Sequence, residues 1–209
     1  AFDYFHELRS KILTQRISLP AKVGLPPPPY ANIGKMSNKG IEGTVSVMKA
    51  LSEKGSIRFY GNFSYIQNKI INMDEPPRDY PYEQRTGHPL GQEFGLISEG
   101  YFSDSAEILK SPSQLFGVVR PGDVKYKDIN GDGKINVDDE VPIGYSTVPQ
   151  LNYGFGAQAR FKNFDLGLFF RGEAKVTYAL GGAYIPFNQG VGKGNLFVQA
   201  MDRWTPENP

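Results

Sequence analysis

Leu151-Asn152-Tyr153-Gly154-Phe155-Gly156-Ala157-Gln158-Ala159-Arg160-Phe161, then Lys162-Asn163, then Phe164-Asp165-Leu166-Gly167-Leu168-Phe169-Phe170-Arg171 is the stretch on which the fold turns. Leu151, Tyr153, Phe155, Ala157, Ala159 and Phe161 are apolar, and every residue between them is polar or glycine. Side chains of a β-strand point to opposite faces in turn, so this alternation predicts a strand with one apolar and one polar face. Phe164, Leu166, Leu168 and Phe170 resume the pattern after Lys162-Asn163. A short turn between two such runs predicts an antiparallel hairpin.

The pattern repeats upstream. Ile41, Gly43, Val45 and Val47 alternate with Glu42, Thr44, Ser46 and Met48, and residues 51–55 supply a turn. Ile57, Phe59, Phe63 and Tyr65 then alternate with Arg58, Asn62, Ser64 and Asn68. Residues 2–19 are predicted to form another strand ending at Pro20. These strands run to roughly 10–14 residues, well above the usual length of about 5–6. The fold class expected is therefore all-β, built of antiparallel hairpins.

Alternation fits two architectures. In a soluble sandwich the apolar face packs inward and the polar face meets water. In a transmembrane β-barrel the apolar face meets lipid and the polar face lines the lumen. Strand length, aromatics near strand ends (Phe59, Tyr65, Tyr153, Phe161, Phe164, Tyr178), and short turns on one side against long loops on the other favour the barrel. No run approaches the roughly 18 apolar residues of a spanning helix. The 209 residues carry a formal net charge of +1, so no strong field points to nucleic acid. Cysteine is absent, which removes disulfides, thiolate metal sites and thiol nucleophiles together. The chain opens on a polar-aromatic run at Ala1 with no leader pattern and stops at Trp204-Thr205-Pro206-Glu207-Asn208-Pro209, and it is expected to be a piece of a longer protein.

Four segments are expected: strands and a hairpin over 1–71, a loop subdomain over 72–149, a hairpin over 150–178, and an outer loop with a short helix over 179–209. The second segment is too long for a structureless connection. Asp104-Ser105-Ala106-Glu107 reads as a capping box before a short helix ending at Lys110. Leu196, Phe197, Ala200, Met201 and Trp204 predict a helix with one shared face. Pro26-Pro27-Pro28-Pro29 reads as a stiff outer loop.

One motif carries chemistry. Residues 128–139 place Asp128, Asn130 and Asp132 at positions 1, 3 and 5 of a calcium-type loop, with Gly133 at the sharp turn. Lys134 offers its backbone carbonyl, Asn136 occupies position 9, Asp139 closes the loop, and Ile135 is expected to anchor it in a core. Calcium needs several hard oxygen donors gathered by a tight turn, and this spacing supplies them. Asp139 stands where an EF-hand has glutamate. The alternative is a cluster of Asx turns with no metal. The stretch also resembles a dockerin repeat, but there is no second copy, and Pro142 and Gly144 forbid a long helix after the loop.

The flanks of that loop extend the pattern: 122–135, Val141-Pro142-Ile143-Gly144-Tyr145, the hairpin above, Asn32-Ile33-Gly34, Asn38-Lys39-Gly40-Ile41-Glu42, the run from Gly87 to Phe94, and the closing Trp204-Thr205-Pro206-Glu207-Asn208-Pro209. Together, and in this order, they resemble the SusC/RagA-type TonB-linked outer-membrane proteins. That resemblance implies the late part of a 22-stranded, plugged barrel in the Gram-negative outer membrane. It also implies import of glycans or peptides, a SusD-type surface lipoprotein as partner, and energy from TonB.

Enzyme signatures are missing. His6 and His88 are isolated, and no nucleophile elbow or phosphate loop occurs. The glycines of 181–182 and 190–194 read as outer loop. No catalytic residue is therefore assigned, and a transport role is expected, with a calcium-stapled carbohydrate-binding β-sandwich as the alternative. Turns 51–55 and 162–163 are expected on the periplasmic side, with loops 20–31, 72–149 and the segment after 178 outside.

Overall fold

Alternation of this kind produces long strands. In the computed structural model these are β1 (Phe2–Gln15), β2 (Tyr30–Ser52) and β3 (Gly55–Asn72), then β4 (Gln92–Gly95) and β5 (Ser98–Tyr101). The short helix α1 (Ser105–Lys110) follows, then β6 (Ser113–Gln114), β7 (Val124–Tyr126), β8 (Lys134–Ile135), β9 (Val141–Ser146), β10 (Leu151–Phe161) and β11 (Phe164–Ala174). All residues are described except 21, 23, 25–27, 180–197 and 208–209. Two units separate: Ala1–Glu93 with Gly144–Thr177, and Phe94–Ile143 with Tyr178–Pro209.

The first unit is a five-stranded sheet in the order β1-β2-β3-β10-β11, every neighbouring pair antiparallel. Both hairpin turns are tight, at Glu53-Lys54 and at Lys162-Asn163, where Lys162 adopts a φ of 56°. The register runs without a shift through all of β10. Ala157 lies opposite Phe59 on one side and Leu168 on the other, and Phe155 lies opposite Gly61 and Phe170.

The predicted 151–171 hairpin matches β10 and β11. The other boundaries move. The first strand stops at Gln15 rather than 19, after a bulge around Lys11, whose φ is 58°. β2 begins at Tyr30, well before the predicted Ile41. Residues 32–40 are mostly polar and small on both faces, so neither face stands out as apolar and no period is left to read. Loop 20–31 is correspondingly 16–29 in the structure.

Glycines on β10 let rings lie across the polar face. Tyr60 and Phe169 approach from either side with ring centroids 6.0 Å apart and nearly parallel. A Cβ at Gly156 would sit 2.6 Å from both Tyr60 Cζ and the Leu168 carbonyl, and one at Gly154 would sit 3.0 Å from Phe169 Cζ. Glycine inside a strand commonly marks such a close approach.

Asp74 gathers the long-loop end of the sheet. Its Oδ2 accepts from Arg16 Nε (3.1 Å), Ser18 Oγ (2.8 Å) and the Ser18 amide (3.3 Å). Neighbouring Glu75 accepts from the amides of Arg85 and Thr86. Burial tends to raise both carboxyl pKa values, but the hydrogen bonds outweigh it, and both lie below the ordinary range.

In the second unit β5 pairs antiparallel with β7, and β6 pairs parallel with β8. Gln114 ties them, donating to the Val124 carbonyl and accepting from the Tyr126 amide. Phe102 and Ile135 are fully buried. The Trp204 indole lies over Gly122, where a Cβ would be 2.5 Å from Trp204 Cε3. The helix expected over 196–204 is a 3-10 segment, Val198–Asp202, with Ala200 buried and Met201 exposed. Its shared apolar face does not form among the described residues, and Leu196 and Phe197 lie outside them, as do Pro26, Pro27 and the glycines of 181–182 and 190–194.

In the intact protein, Gly156→Val should lower the folded fraction and cost about 1–3 kcal/mol, the usual range for overpacking. Gly167→Ala should be near neutral, because a Cβ there meets only the Cγ of the flexible Gln158 side chain, at an ordinary contact distance of 3.8 Å. Urea titration followed by heat-modifiable mobility in electrophoresis measures both.

Candidate functional site

The register assigns each strand residue to a face. One face carries Phe2 and Tyr4; Ile41, Val45 and Val47; Ile57, Phe59, Phe63 and Tyr65. On β10 and β11 it continues with Tyr153, Phe155, Ala157, Phe161, Leu166, Leu168 and Phe170. The opposite face carries Asp3, Glu42, Thr44, Ser46, Arg58, Asn62, Ser64, Asn152, Gln158, Arg160, Asp165, Arg171 and Glu173.

The apolar face is uncovered. Phe59 is 56% exposed, Phe155 54% and Leu168 54%, and Phe170 stacks on Phe155 in the open. Among the described residues the buried apolar side chains are Ile70 in the first unit and Phe102, Ile135 and Ala200 in the second. A sandwich would bury the large apolar face against a second sheet, and none lies over it among the described residues. A water-soluble surface rarely exposes so large a contiguous apolar patch.

The band has the right height for a bilayer. From Gly55 to Tyr65 the strand rises about 33 Å at ~3.3 Å per residue, which a tilt of ~40° reduces to about 25 Å. Its ends are amphipathic. At the long-loop end Tyr65 Oη accepts from Gln67 Nε2 (2.8 Å) and Lys175 Nζ (3.2 Å). At the tight-turn end Lys162 Nζ lies 5.4 Å from the centre of the Phe161 ring. Rings with one polar edge, flanked by lysines, suit a membrane–water boundary.

Near one end, a hollow of about 430 Å³ is lined by Asp3, Glu42, Thr44, Asn62, Ser64 and Asn152 of the polar face together with Ala1, Phe2, Gly43 and Phe63. Further along, Arg160 and Asp165 pair at 3.6 Å beside Arg58 and Gln158. Arg58 Nε donates to Ser46 Oγ, and its guanidinium lies 5.5 Å from the Tyr60 ring centre. This face offers carboxylates, guanidinium groups, amides and hydroxyls to whatever fills the space in front of it.

The second unit holds the 128–139 loop. Asp128 Oδ1 accepts from the Gly131 amide and Oδ2 from the Gly133 amide. Asn130 accepts from the Asp132 amide, and Asp132 from the Lys134 amide. Gly131 and Gly133 take φ of 77° and 80°, as the sharp turn requires. Ile135 is fully buried, as expected of the anchoring position. Asp139 is also fully buried, and it accepts from the amides of Ile129, Asn130 and Asn136. Asn136 caps the 3-10 turn Val137–Asp139 by accepting from the Asp138 amide. Lys134 lies in β8 against Ser113.

The donor set thus divides. Each engaged oxygen of Asp128, Asn130 and Asp132 accepts an N–H and keeps a lone pair. Asp139 is turned inward as a clasp across the loop. Among the described residues no three His, Cys, Asp or Glu side chains converge to hold a metal ion. A cation here would draw on Asn130 and backbone oxygens beside Asp128 and Asp132.

Asp104 caps α1 by accepting from the Glu107 amide at 2.8 Å. The reciprocal bond is displaced by one residue, because Glu107 Oε2 accepts from the Ser103 amide and hydroxyl. Glu107 Oε1 pairs with Lys125 Nζ at 2.8 Å, holding α1 to β7. The Lys125 ammonium and the Ser103 hydrogen bonds draw the Glu107 carboxyl down to about 2, and the same pair raises Lys125.

Sequence reasoning missed the Asp74 clasp and the Tyr60–Phe169 stack. The alternate glycines Gly154 and Gly156 were the available signal for the stack, Gly156 lying opposite Tyr60 on one neighbour and Phe169 on the other. Nothing local marks Asp74, whose partners lie more than fifty residues away.

No family model matches the chain. It is 27% identical over 223 residues to TonB-dependent receptor P3 of Formosa agariphila, covering 100% of this chain and 21% of that protein. It is 28% identical over 218 residues to TonB-dependent receptor P26 of the same organism, covering 99% and 21%. The chain therefore spans about a fifth of the curated relatives it matches. Among solved structures it is similar to the RagAB peptide importer in its closed-closed state, with TM-score 0.59 and 17% identity. The open-open state gives TM-score 0.60 and 19% identity. In each case 84% of this chain is matched, against 19% and 18% of the other chain. These neighbours establish the fold, a β-barrel wall that this segment does not close by itself.

The Glu107–Lys125 pair generates a pH prediction. Glu107 is depressed from 4.5, so its contribution is complete above that value and is lost as pH falls through about 2. Lys125 is raised, so its contribution is complete below 10.5 and is lost only as pH rises beyond it. The Glu107 carboxyl resonance should titrate near 2 in wild type and move up in Lys125→Gln. A wild-type midpoint in the ordinary glutamate range would overturn the pairing.

Proposed function

We propose that this chain, a segment of a SusC/RagA-type TonB-dependent receptor, forms part of the wall and outer loops of an outer-membrane barrel that takes up a nutrient. The supporting observation is the two-faced sheet: a continuous apolar face left open beside a polar face rich in arginine, carboxylate and amide. Lipid supplies the missing layer on the first face, and the lumen lies on the second. The long connections 16–29 and 73–150 leave from one end and the tight turns from the other; on this reading the former lie outside and the latter in the periplasm.

The cargo class on this reading is a glycan or a peptide. The polar face offers hydrogen-bonding groups suited to either, and the peptide-importer neighbours favour peptide. A SusD-type surface lipoprotein over the outer loops and TonB on the periplasmic side complete the machine. Transport rather than catalysis is the role of this segment.

We also propose that the 128–139 loop takes calcium through Asp128, Asn130 and Asp132. The half-formed donor set and the positive-φ glycines support this. Asp139 closes the loop from inside rather than joining the ligands.

Two predictions separate these readings from their rivals. In the full-length receptor, Leu168→Arg should impair barrel assembly, because arginine facing hydrocarbon costs about 2–4 kcal/mol near the midplane. Gln158→Arg should insert and transport normally. Uptake and heat-modifiable mobility read both, and the reverse result would exchange the faces. For the loop, calorimetric titration with calcium should give heat in wild type and none in Asp128→Ala/Asp132→Ala. Absence of heat in wild type removes calcium while leaving the barrel reading intact.

A further inference from the structure

The charges on the sheet are sorted by sign. Asp3, Glu7, Glu42, Asp165 and Glu173 are the carboxylates of the five long strands, and all lie on the polar face. The arginines Arg9, Arg58, Arg160 and Arg171 share that face. The apolar face carries no strand carboxylate and no arginine. Its basic residues are His6, Lys35, Lys39, Lys49 and Lys69, placed at the two ends of the band.

At the long-loop end these groups form a row. His6 lies opposite Lys39, and Lys39 opposite Gln67, in unbroken register across β1, β2 and β3. Directly opposite side chains have Cβ atoms about 4.5–5.5 Å apart. Gln67 donates to Tyr65 Oη, and Lys175 Nζ reaches the same oxygen at 3.2 Å, lying 4.7 Å from the ring centre. Lys69 stands one step beyond Gln67 on the same face, opposite Ser37. Lys39, Lys69 and Lys175 are exposed. Three ammonium groups and an imidazole thus line the upper edge of the apolar band, with no strand carboxylate on their side. At the tight-turn end Lys49 stands opposite Ile57, and the other two lysines, Lys54 and Lys162, belong to the turns.

We propose that this row binds the phosphate groups of an anionic lipid in the outer leaflet. The proposal rests on reading the open face as lipid-facing. An acyl chain lying along Tyr4, Ile41 and Tyr65 brings its headgroup to the height of Lys39, Lys69 and Lys175. There the lysines supply charge, while Gln67 holds the Tyr65 hydroxyl toward Lys175. Lysine suits this role because its stem lies along apolar surface while the ammonium reaches the headgroup layer. Excluding carboxylates from that face removes the repulsion an anionic lipid would otherwise meet.

The test uses the full-length receptor in detergent, incubated with bisphosphorylated lipid A or with lipid A stripped of its phosphates. Retained lipid is counted by native mass spectrometry. Wild type should retain the phosphorylated form preferentially. Lys39→Gln/Lys69→Gln/Lys175→Gln should lower that retention by roughly tenfold or more, since each near-surface lysine contributes measurably to anionic-lipid binding. Retention of the dephosphorylated form should not change, and Lys49→Gln should leave both unchanged. Inorganic phosphate should not release the lipid. Undiminished retention in the triple variant, an equal loss in Lys49→Gln, or release by inorganic phosphate would each overturn the proposal. If the triple variant fails to fold, Lys39→Gln and Lys175→Gln singly should each give a partial loss, and no loss in either overturns it. Heat-modifiable mobility keeps the two readings apart. A wild-type receptor without it fails as a barrel and takes this site with it, whereas a folded barrel with no phosphate preference removes the lipid site alone.

Discussion

Antiparallel register is the constraint from which the rest follows. A shift of one residue in β10 would carry Phe155 and Leu168 to the face of Arg160 and Asp165. Nothing slips, because β10 is paired along its full length to β3 on one side and to β11 on the other. With both neighbours fixed, each side chain has only one available face. The uncovered aromatic face, the polar face opposite it and the sorting of charge by sign are consequences of that pairing.

The apolar face also explains why the first unit has so little core. Ile70 is its only buried apolar side chain among the described residues. A soluble sheet of this size would bury its aromatics, and here they remain exposed. Stability in water would require another surface, while stability in a bilayer requires only lipid. Hydrogen bonding is consistent with this, since β10 pairs with neighbours on both sides along its full length.

The second unit solves a different problem. Its strands are two to four residues long and cannot support one another through backbone pairing alone. Polar clasps take over: Asp139 across the 128–139 loop, Glu107 between α1 and β7, and Gln114 between β6 and β7. Asp139 is informative because the calcium-loop spacing assigns it to a cation, while its buried carboxylate serves three backbone amides. A closing carboxylate and a loop clasp need the same residue at the same spacing, so the motif alone does not distinguish them.

How much was legible follows from where each signal resides. The hairpin of β10 and β11, its turn and the facing of Phe155, Leu168, Gln158 and Arg160 were determined by sequence, because a two-residue period is a local property. The Asp104 cap and the anchoring of Ile135 were local too, and both were read correctly. The first half of β2 was not legible, since a strand of polar and small residues on both faces has no period. The tail segment Val198–Asp202 kept a helical composition but became a 3-10 turn, with Ala200 buried and Met201 exposed. Only the tertiary structure decided that β3 and β10 are neighbours, that Asp74 gathers Arg16 and Ser18, and that Lys39 and Lys175 share one rim. Those facts join residues far apart in the chain, and distance in sequence erases the periodicity by which local structure is read.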